Sequence, residues 1–257
     1  MSRLSLSGVS KTFPNGTEAL RGFDLLVEEG EFLTLIGPSG CGKSTVLRLI
    51  AGLEKPSAGA IERAGGEAGI GFVFQDPTLM PWACAFTNVW LPLRLRGVSR
   101  AAARERVEEA LAFVGLADFA EARPRELSGG MRMRVAIARA LVTRPSLLLM
   151  DEPFAALDEI TRFHLNDELL ALKQRLGFTT VFVTHSIFEA AYLSSRVAIM
   201  TPRPGRVAEE VANPRPLPRG DAFRGSPEFA ALAARLSLAL RSGAESRLDK
   251  AALAGHS

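Results

Sequence analysis

Short runs of apolar residues recur along the chain and predict the strands of a buried sheet. These runs lie at 32–36, 70–74, 147–150 and 179–184. The run at 147–150 contains no polar residue, which is typical of a parallel strand that is covered on both faces. Residues 3–36 also hold short alternating segments around turns at 14–16 and 29–30, so we expect antiparallel strands ahead of the first buried run.

Helical periodicity fills the intervals between these strands. A helix is predicted over 44–51, a second over 100–114 and a long third over 159–176. One face of the second helix carries apolar residues that indicate core packing, and these are Ala103, Val107, Ala110, Leu111 and Val114. The alternation of strands with helices predicts an α/β fold with a doubly wound sheet, whose ligands lie beyond the carboxyl ends of its strands.

The chain length favours one large domain, because 257 residues leave room for little more. Residues 87–143 change character and become mainly helical, which predicts an inserted helical subdomain there. Past Thr201 the chain is rich in proline, and its pattern then predicts only a modest helix over 227–241. We therefore expect no second domain there.

Charge, cysteine count and hydropathy exclude several classes of protein. The formal net charge is +3, which is too weak for a nucleic-acid-binding surface. Cys41 and Cys84 do not make a disulfide framework, and residues 1–7 lack the apolar core of a signal peptide. No uninterrupted apolar run approaches the roughly 20 residues of a membrane helix. We therefore expect a cytosolic protein whose attachment to a membrane is made through a partner.

A glycine-rich segment links the first buried strand to the first helix. Its residues fit the pattern G-x-x-x-x-G-K-[ST] in full and are Gly37, Pro38, Ser39, Gly40, Cys41, Gly42, Lys43, Ser44 and Thr45. Such a turn directs several backbone N–H groups into one small volume beside a positive helix end, where a di- or triphosphate binds. Lys43 is expected to reach the β- and γ-phosphates, and the Ser44 hydroxyl to ligate Mg²⁺. The segment therefore predicts a nucleoside triphosphate site.

Three further polar residues fall just after predicted strands, and these are Gln75, Asp151 and His185. Asp151 ends an apolar strand downstream of the phosphate loop, which is the position of a carboxylate that holds Mg²⁺ opposite Ser44. Glu152 is placed to orient or deprotonate the attacking water, and His185 to contact the γ-phosphate. The alternatives are a charged turn at 151–153 and a structural histidine.

A second anion-binding turn is predicted at residues 127–131, which read Leu-Ser-Gly-Gly-Met. Ser128, Gly129 and Gly130 open an arginine-rich helix, and the N-terminus of a helix favours an anion. One chain would then carry two phosphate-facing surfaces for one nucleotide. The economical explanation is a dimer in which each chain supplies one surface to each of two ATP molecules.

Taken together, these motifs resemble those of the ATPase subunits of ABC transporters. The matches, in the family's order, are Walker A at 37–45, the Q-loop at Gln75, the signature at 127–131, Walker B at 147–151 with Glu152, the D-loop at 156–158 with Asp158, and the switch His185. Met131 departs from the glutamine of many members, with little effect expected on catalysis. The resemblance covers residues 3 to about 210.

The resemblance implies a P-loop NTPase fold with a RecA-like core, an antiparallel β subdomain and an inserted α-helical subdomain. It divides the chain into an ATPase domain at 1–210, whose helical subdomain lies at about 87–143, and a short C-terminal tail at 211–257. It also implies that Gln75 contacts Mg²⁺ and reports to a membrane subunit. Phe13 matches the aromatic residue that stacks on adenine, although the residue alone favours an ordinary packed phenylalanine.

The implied mechanism is a cycle of dimer closure and opening. Two ATP molecules close the dimer, Glu152 activates water, His185 senses the γ-phosphate, and hydrolysis reopens the dimer. The implied partners are ATP with Mg²⁺, transmembrane permease subunits, a second ATPase subunit in what we expect to be a homodimer, and a periplasmic or extracellular solute-binding protein reached through the permease. No nucleic acid partner is expected. The implied location is peripheral, on the cytoplasmic face of the cell membrane.

Three stretches, at 75–82, 158–162 and 200–206, look like the nitrate, sulfonate and taurine branch of importers. That branch also handles pyrimidine precursors, so the cargo is left open. The apolar residues at 77–82 suit docking on a permease, with a buried loop as the alternative. Two other functions are weighed: a soluble ABC ATPase that acts with non-membrane partners, and a P-loop kinase of small molecules, which leaves the turn at 127–131 unexplained.

Overall fold

The computed structural model describes residues 4–63, 69–155, 157–216 and 219–245. The chain divides into two compact units, one formed by Met1–Gly66 with Thr179–Ser257 and the other by Glu67–Phe178. The strands in the described residues are β1 (Leu4–Thr12), β2 (Glu18–Val27), β3 (Phe32–Ile36), β4 (Ala58–Arg63), β5 (Ile70–Val73), β6 (Leu147–Asp151), β7 (Thr179–Val183), β8 (Arg196–Met200) and β9 (Val207–Ala212). The α-helices in the same ranges are α1 (Lys43–Ile50), α2 (Ala85–Leu95), α3 (Arg100–Phe113), α4 (Gly129–Leu141), α5 (Glu159–Leu176), α6 (Ile187–Leu193), α7 (Asp221–Arg224) and α8 (Pro227–Glu245).

The first unit contains a small antiparallel sheet. β1 lies at its centre, with β2 on one side and β4 on the other. Leu4, Leu6 and Val9 of β1 are buried, whereas Ser7 and Gly8 are exposed. This alternation gives the sheet one apolar face for the core and one face for solvent. The antiparallel strands expected ahead of the phosphate loop are therefore confirmed.

The main sheet of the first unit is built around β3. β3 is parallel to β7 on one side and to β8 on the other, and β9 pairs antiparallel with β8. Every residue of Phe32–Ile36 and of Thr179–Val183 is buried, as expected of strands covered on both faces. β3 and β7 correspond to apolar runs named in the sequence analysis, whereas β8 and β9 are not among the predicted strands.

The C-terminal part of the chain packs into the core of the first unit. Ala233 and Leu236 of α8 are buried in one cluster with Ile199 of β8. Arg219 donates to the main-chain oxygen of Tyr192 at 2.6 Å, and burial lowers the pKa of its guanidinium to about 10. A buried cation of this kind is stable because carbonyl oxygens solvate it.

In the second unit, β5 and β6 are parallel neighbours, and helices α2, α3 and α4 come between them in the chain. Ile70 pairs with Leu147 and Val73 with Met150. The predicted apolar face of α3 forms core contacts, since four of its five residues are fully buried and Ala110 is half-buried. Within the described parts of the chain, none of the helices combines the length and the apolar character that crossing a bilayer needs.

Candidate nucleotide-binding site

The phosphate loop connects β3 to α1 in the first unit. Gly40 and Gly42 have φ of 73° and 109°, which lie in the left-handed region that glycine adopts without a steric cost. Gly42 occupies the N-cap position of α1 and has no side chain to accept from the first-turn N–H groups. The loop therefore presents backbone N–H groups and a positive helix end, which together suit an anion.

Lys43 directs its ammonium group into the curve of this loop. Its Nζ donates to the main-chain oxygens of Gly37 at 2.8 Å and of Pro38 at 2.9 Å. The residue is only 6% exposed, so most of its charge is already out of bulk water. An anion that enters the loop can exchange places with these carbonyl oxygens without a new desolvation cost for the lysine.

Cys41 fills the space beneath the loop and shows no sign of a reactive thiol. The side chain is 1% exposed. Burial raises the pKa of the thiol, an effect that the nearby Lys43 charge opposes but does not cancel. A Cβ atom on Gly37 would lie 2.9 Å from the Cys41 sulfur, so both residues must remain small for the loop to close.

His185 follows the strand that is paired with β3. Leu35 pairs with Val183 in parallel register, so the residues after β3 and β7 meet at the same edge of the sheet. The Thr184 hydroxyl accepts from the N–H of Ser186 at 2.9 Å and donates to the buried carboxylate of Glu189. These contacts fix the turn that carries the exposed His185.

Phe13 lies in the turn after β1 and is half-buried. The turn is closed by the N–H of Phe13 donating to Thr17 and the N–H of Gly16 donating to Phe13. The Lys11 ammonium lies 5.1 Å from the ring centroid and also pairs with Glu54 at 2.7 Å. A cation at this distance is attracted to the ring and favours this position of the side chain. Stacking of the ring on a nucleobase stays a prediction.

In the second unit, acidic and amide side chains follow adjacent strand ends. Asp151 is the last residue of β6 and is 5% exposed, and Glu152 follows it with a φ of 46°. Val73 pairs with Met150, so Gln75, two residues beyond β5, follows the neighbouring end of the same parallel pair. A positive φ at a glutamate costs of order 1–3 kcal/mol and is typical of functional positions.

The turn at 127–131 begins α4. Ser128 is the N-cap residue, and its hydroxyl accepts from the N–H of Met131 at 3.2 Å. Ser128 and Gly129 are exposed. Gly130 faces Leu157, whose Cδ2 would lie 2.9 Å from a Cβ atom at that position. The turn therefore presents a helix N-terminus to solvent, and a side chain at Gly130 would require Leu157 to shift.

Asp158 has a local structural role at the start of α5. Its carboxylate accepts from the N–H of Thr161 at 2.9 Å, and this bond is the main reason that the pKa of Asp158 is lowered. The carboxylate is exposed. Of the predicted D-loop, Leu157 and Asp158 are described and Ala156 lies outside the described residues.

A family model described as ABC transporter matches residues 20–155. The chain belongs to the ABC transporter family. An uncharacterized ABC transporter ATP-binding protein of Methanocaldococcus jannaschii is 49% identical over 220 residues, which are 81% of either chain. Aliphatic sulfonates import ATP-binding proteins of Pseudomonas syringae and Bacillus licheniformis are 47% and 45% identical, over 76% and 88% of this chain and 80% and 89% of theirs.

Two solved structures support the same assignment. The dimeric structure of a bacterial ABC transporter cassette matches with a TM-score of 0.75 and 36% identity, over 83% of this chain and 100% of that one. The dimeric post-hydrolysis state of that cassette, bound to ADP and Pi, matches with a TM-score of 0.74. The chain is therefore an ABC ATPase cassette, as its motifs predict, and an enzyme that hydrolyses ATP.

In this ABC ATPase, two residues outside the sequence motifs hold the backbone of the segment that follows Gln75. Arg139 of α4 donates to the main-chain oxygens of Pro77 at 2.8 Å and Thr78 at 2.9 Å. Asn88 of α2 is 0% exposed and bonds both the N–H and the oxygen of Met80. Their only sequence signal is a polar residue on a mainly apolar helix face, and many such residues have no special role.

The braced segment leaves one large aromatic residue in solvent. Trp82 is 74% exposed, whereas Leu79 and Met80 are half-buried. The segment is therefore neither a fully buried loop nor a fully exposed one. An exposed tryptophan on a fixed backbone is typical of a protein interaction surface.

Proposed function

We propose that this ABC ATPase is the energy-supplying subunit of an importer, and that it drives the uptake of a small solute through separate membrane permease subunits. The observation that carries the proposal is the similarity to two aliphatic sulfonates import ATP-binding proteins over most of both chains. The stretches at 75–82, 158–162 and 200–206, which resemble the same branch of importers, favour it as well. An aliphatic sulfonate is the first candidate cargo, ahead of nitrate or a pyrimidine precursor.

The phosphate loop is proposed to hold the β- and γ-phosphates of ATP. Its backbone N–H groups and the Lys43 ammonium supply positive charge, and the burial of Lys43 makes that charge more effective than it would be in water. Phe13 is proposed to stack on the adenine. The backbone turn and the cation of Lys11 favour one position of the ring, which lowers the side-chain entropy lost on binding.

Mg²⁺ is the proposed cofactor, with Ser44, Gln75 and Asp151 as its protein ligands. A hydroxyl, an amide carbonyl and a carboxylate are the hard oxygen donors that Mg²⁺ prefers. The ion takes few protein ligands because phosphate oxygens and water complete its shell. Bound there, Mg²⁺ would neutralise the charge that develops on the phosphates.

Glu152 and His185 are the proposed catalytic residues. Glu152 would orient and deprotonate the attacking water. Its left-handed backbone conformation sets the direction in which the side chain leaves the main chain. His185 would contact the γ-phosphate from a turn that the Thr184 and Glu189 contacts hold. Both residues follow buried strands, which is where ligands of such sheets bind.

A dimer is proposed to complete the site. The matched bacterial cassette is dimeric, and its post-hydrolysis form is dimeric with ADP and Pi bound. In this chain Ser128 and Gly129 open α4 at an exposed position. Together with Gly130 they would bind the γ-phosphate of the nucleotide held by the second ATPase subunit. Asp158 would lie in the same interface, and a homodimer is the simplest assembly.

The permease is proposed to dock on the segment that follows Gln75. Trp82 supplies an exposed apolar anchor, and Arg139 and Asn88 hold its backbone in place. A solute-binding protein would reach this subunit only through the permease. The protein would then work as a peripheral subunit at the cytoplasmic face of the membrane.

The decisive experiment combines a trapped variant with the recovery of partners. Glu152→Gln should bind ATP as the wild type does, lose about 10²–10⁴-fold in hydrolysis rate and accumulate as an ATP-loaded dimer, because only water activation is removed. Size-exclusion chromatography and an ATPase assay measure the two effects. Hydrolysis at the wild-type rate would exclude Glu152 as the base. Recovery in a stable complex with soluble proteins, and not with a permease, would favour an ABC ATPase without a membrane partner.

A further inference from the structure

The stretch at 200–206 contacts the phosphate loop, although no part of the proposed mechanism uses it. The turn is closed on itself by the N–H of Thr201 donating to Arg206 at 2.9 Å and the N–H of Arg206 donating to the Thr201 hydroxyl at 3.0 Å. It is fastened to β2 because the N–H of Gly205 donates to Ala19 at 2.8 Å. Because the turn is held both by its own hydrogen bonds and by β2, it can position the residues that it contacts.

This turn meets the phosphate loop at two successive residues. The Nε of Arg203 donates to the main-chain oxygen of Gly40 at 3.0 Å. Gly205 approaches the main-chain oxygen of Cys41 so closely that a Cβ atom would lie 2.2 Å from it. Residues more than 160 positions apart in the chain are therefore in direct contact on the outer side of the loop.

Arg203 binds a peptide unit whose orientation is only weakly set by local backbone preference. The oxygen of Gly40 and the N–H of Cys41 belong to one planar unit and point in opposite directions. Arg203 binds the oxygen, and the N–H donates to Pro38 within the loop at 3.3 Å. Gly40 has a φ of 73° and no side chain to limit its backbone, so the hydrogen bonds on the two sides of this plane, from Arg203 and to Pro38, decide how it is turned.

We propose that Arg203 is a positioning residue that holds the phosphate loop in its binding conformation through the hydrogen bond from its Nε to Gly40. By fixing the Gly40–Cys41 plane, it sets the direction of the N–H groups that follow toward Lys43. Without this bond the loop must be ordered by the nucleotide itself, which weakens binding. The inference rests on the proposed role of the phosphate loop in holding ATP.

Three variants of the full chain separate the hydrogen bond from the charge. Arg203→Met removes both, whereas Arg203→Gln keeps an uncharged N–H donor at the same number of bonds from the backbone. Arg206→Met removes a charge from the same turn and leaves the backbone bonds of residue 206 in place. The measurements are ATP affinity with a fluorescent ATP analogue, and KM and kcat of ATP hydrolysis at saturating Mg²⁺.

We expect Arg203→Met to raise Kd and KM about fivefold with kcat within about twofold of wild type, since bound phosphates restore the loop. Arg203→Gln and Arg206→Met should stay within about twofold in all three quantities. Equal losses in Arg203→Gln and Arg203→Met would overturn the proposal, because charge would then be responsible. So would a joint fall of kcat and melting temperature in Arg203→Met, which would mean a purely structural role.

Lys43→Ala distinguishes the failure of this inference from the failure of the proposed function. If Lys43→Ala loses ATP binding while Arg203→Met binds like the wild type, the phosphate loop binds ATP and Arg203 does not position it. If Lys43→Ala itself binds ATP at the wild-type affinity, the proposed role of the loop is wrong and the inference falls with it.

Discussion

Asn88 offers a sharp test of how the segment after Gln75 is held. The side chain is 0% exposed, and its Oδ1 accepts from the N–H of Met80 at 2.8 Å. Its Nδ2 donates to the oxygen of Met80 at 3.3 Å, of Ala83 at 3.1 Å and of Cys84 at 3.1 Å. Asn88→Ala deletes all of these bonds at once and leaves their backbone partners inside the protein.

The expected cost follows from those contacts. A typical internal hydrogen bond contributes about 1 kcal/mol, and leaving a buried partner unsatisfied costs about 1–3 kcal/mol. Some of the released groups will reach water, so we expect a loss of about 3 kcal/mol in the free energy of unfolding. For a chain of this size that loss corresponds to a fall of about 6–10 °C in melting temperature.

Urea denaturation measures the loss, and hydrogen exchange locates it. Asn88→Ala should speed the exchange of the Met80 amide, whose hydrogen bond acceptor is removed. Asn15→Ala is the matched control, because Asn15 is exposed and its Oδ1 accepts one bond, from the N–H of Thr17 at 3.0 Å. We expect that control to cost less than about 1 kcal/mol. A loss in Asn88→Ala no larger than the control would refute the view that this asparagine holds the segment.

Two further predictions concern titratable groups. Cys84 should react with a thiol reagent in the native protein, whereas Cys41 should react only on unfolding, because burial both shields the Cys41 thiol and raises its pKa. Rapid labelling of Cys41 in a natively folded Cys84→Ala variant would contradict this. Asp158 has a folded pKa below its unfolded value, so its contribution to stability is present above about pH 4 and is lost as the pH falls through the folded pKa. Compared with Asp158→Asn, which keeps a neutral cap, the wild type should lose more melting temperature between pH 7 and pH 3, and equal losses would exclude the carboxylate as a source of acid sensitivity.

Much of the fold can be predicted because local signals and tertiary packing agree. Helix α5 begins and ends as the sequence predicts, since Asp158 caps its first turn and Gly177 ends it with a φ of 67°. The strand at 147–150 is apolar throughout and every residue of it is buried. In these segments the same cause, helix capping or burial, accounts for both the sequence pattern and the observed structure.

β8 and β9 are not among the predicted strands, but only β9 lacks an apolar run, because β8 carries Val, Ala, Ile and Met at 197–200 and all four are buried. β8 begins at Arg196, which pairs with Glu31 at 2.7 Å and with Glu210 of β9 at 2.6 Å, and these bonds raise its pKa. β9 exposes Glu209 and Glu210 and buries only Val211. β9 therefore lacks the apolar run by which buried strands are recognised, whereas the run at 197–200 is a strand signal that the predicted set leaves out.

The same distinction separates the two kinds of residue in the candidate site. Residues proposed to touch the nucleotide, such as Lys43 and Glu152, follow strands and obey local patterns that a sequence displays. Residues that hold the loops of the site, such as Arg139 and Arg203, act through hydrogen bonds to backbone oxygens far away in the chain. Because a carbonyl oxygen is the same in every residue, the partner of such a bond leaves no mark on the sequence.

The hydrogen bonds that hold these loops also have a consequence for activity. Three of the loops that carry proposed ligands have an acceptor or donor held by a residue outside the loop: Thr184 by Glu189, Gly40 by Arg203, and Thr78 by Arg139. Holding a loop before the ligand arrives lowers the entropy cost of binding, so such bonds act on affinity more than on the chemical step. A substitution of Arg203 should therefore raise KM with kcat largely retained, whereas a substitution at Glu152 should lower kcat with binding retained. The two patterns together distinguish residues that prepare the site from residues that carry out hydrolysis.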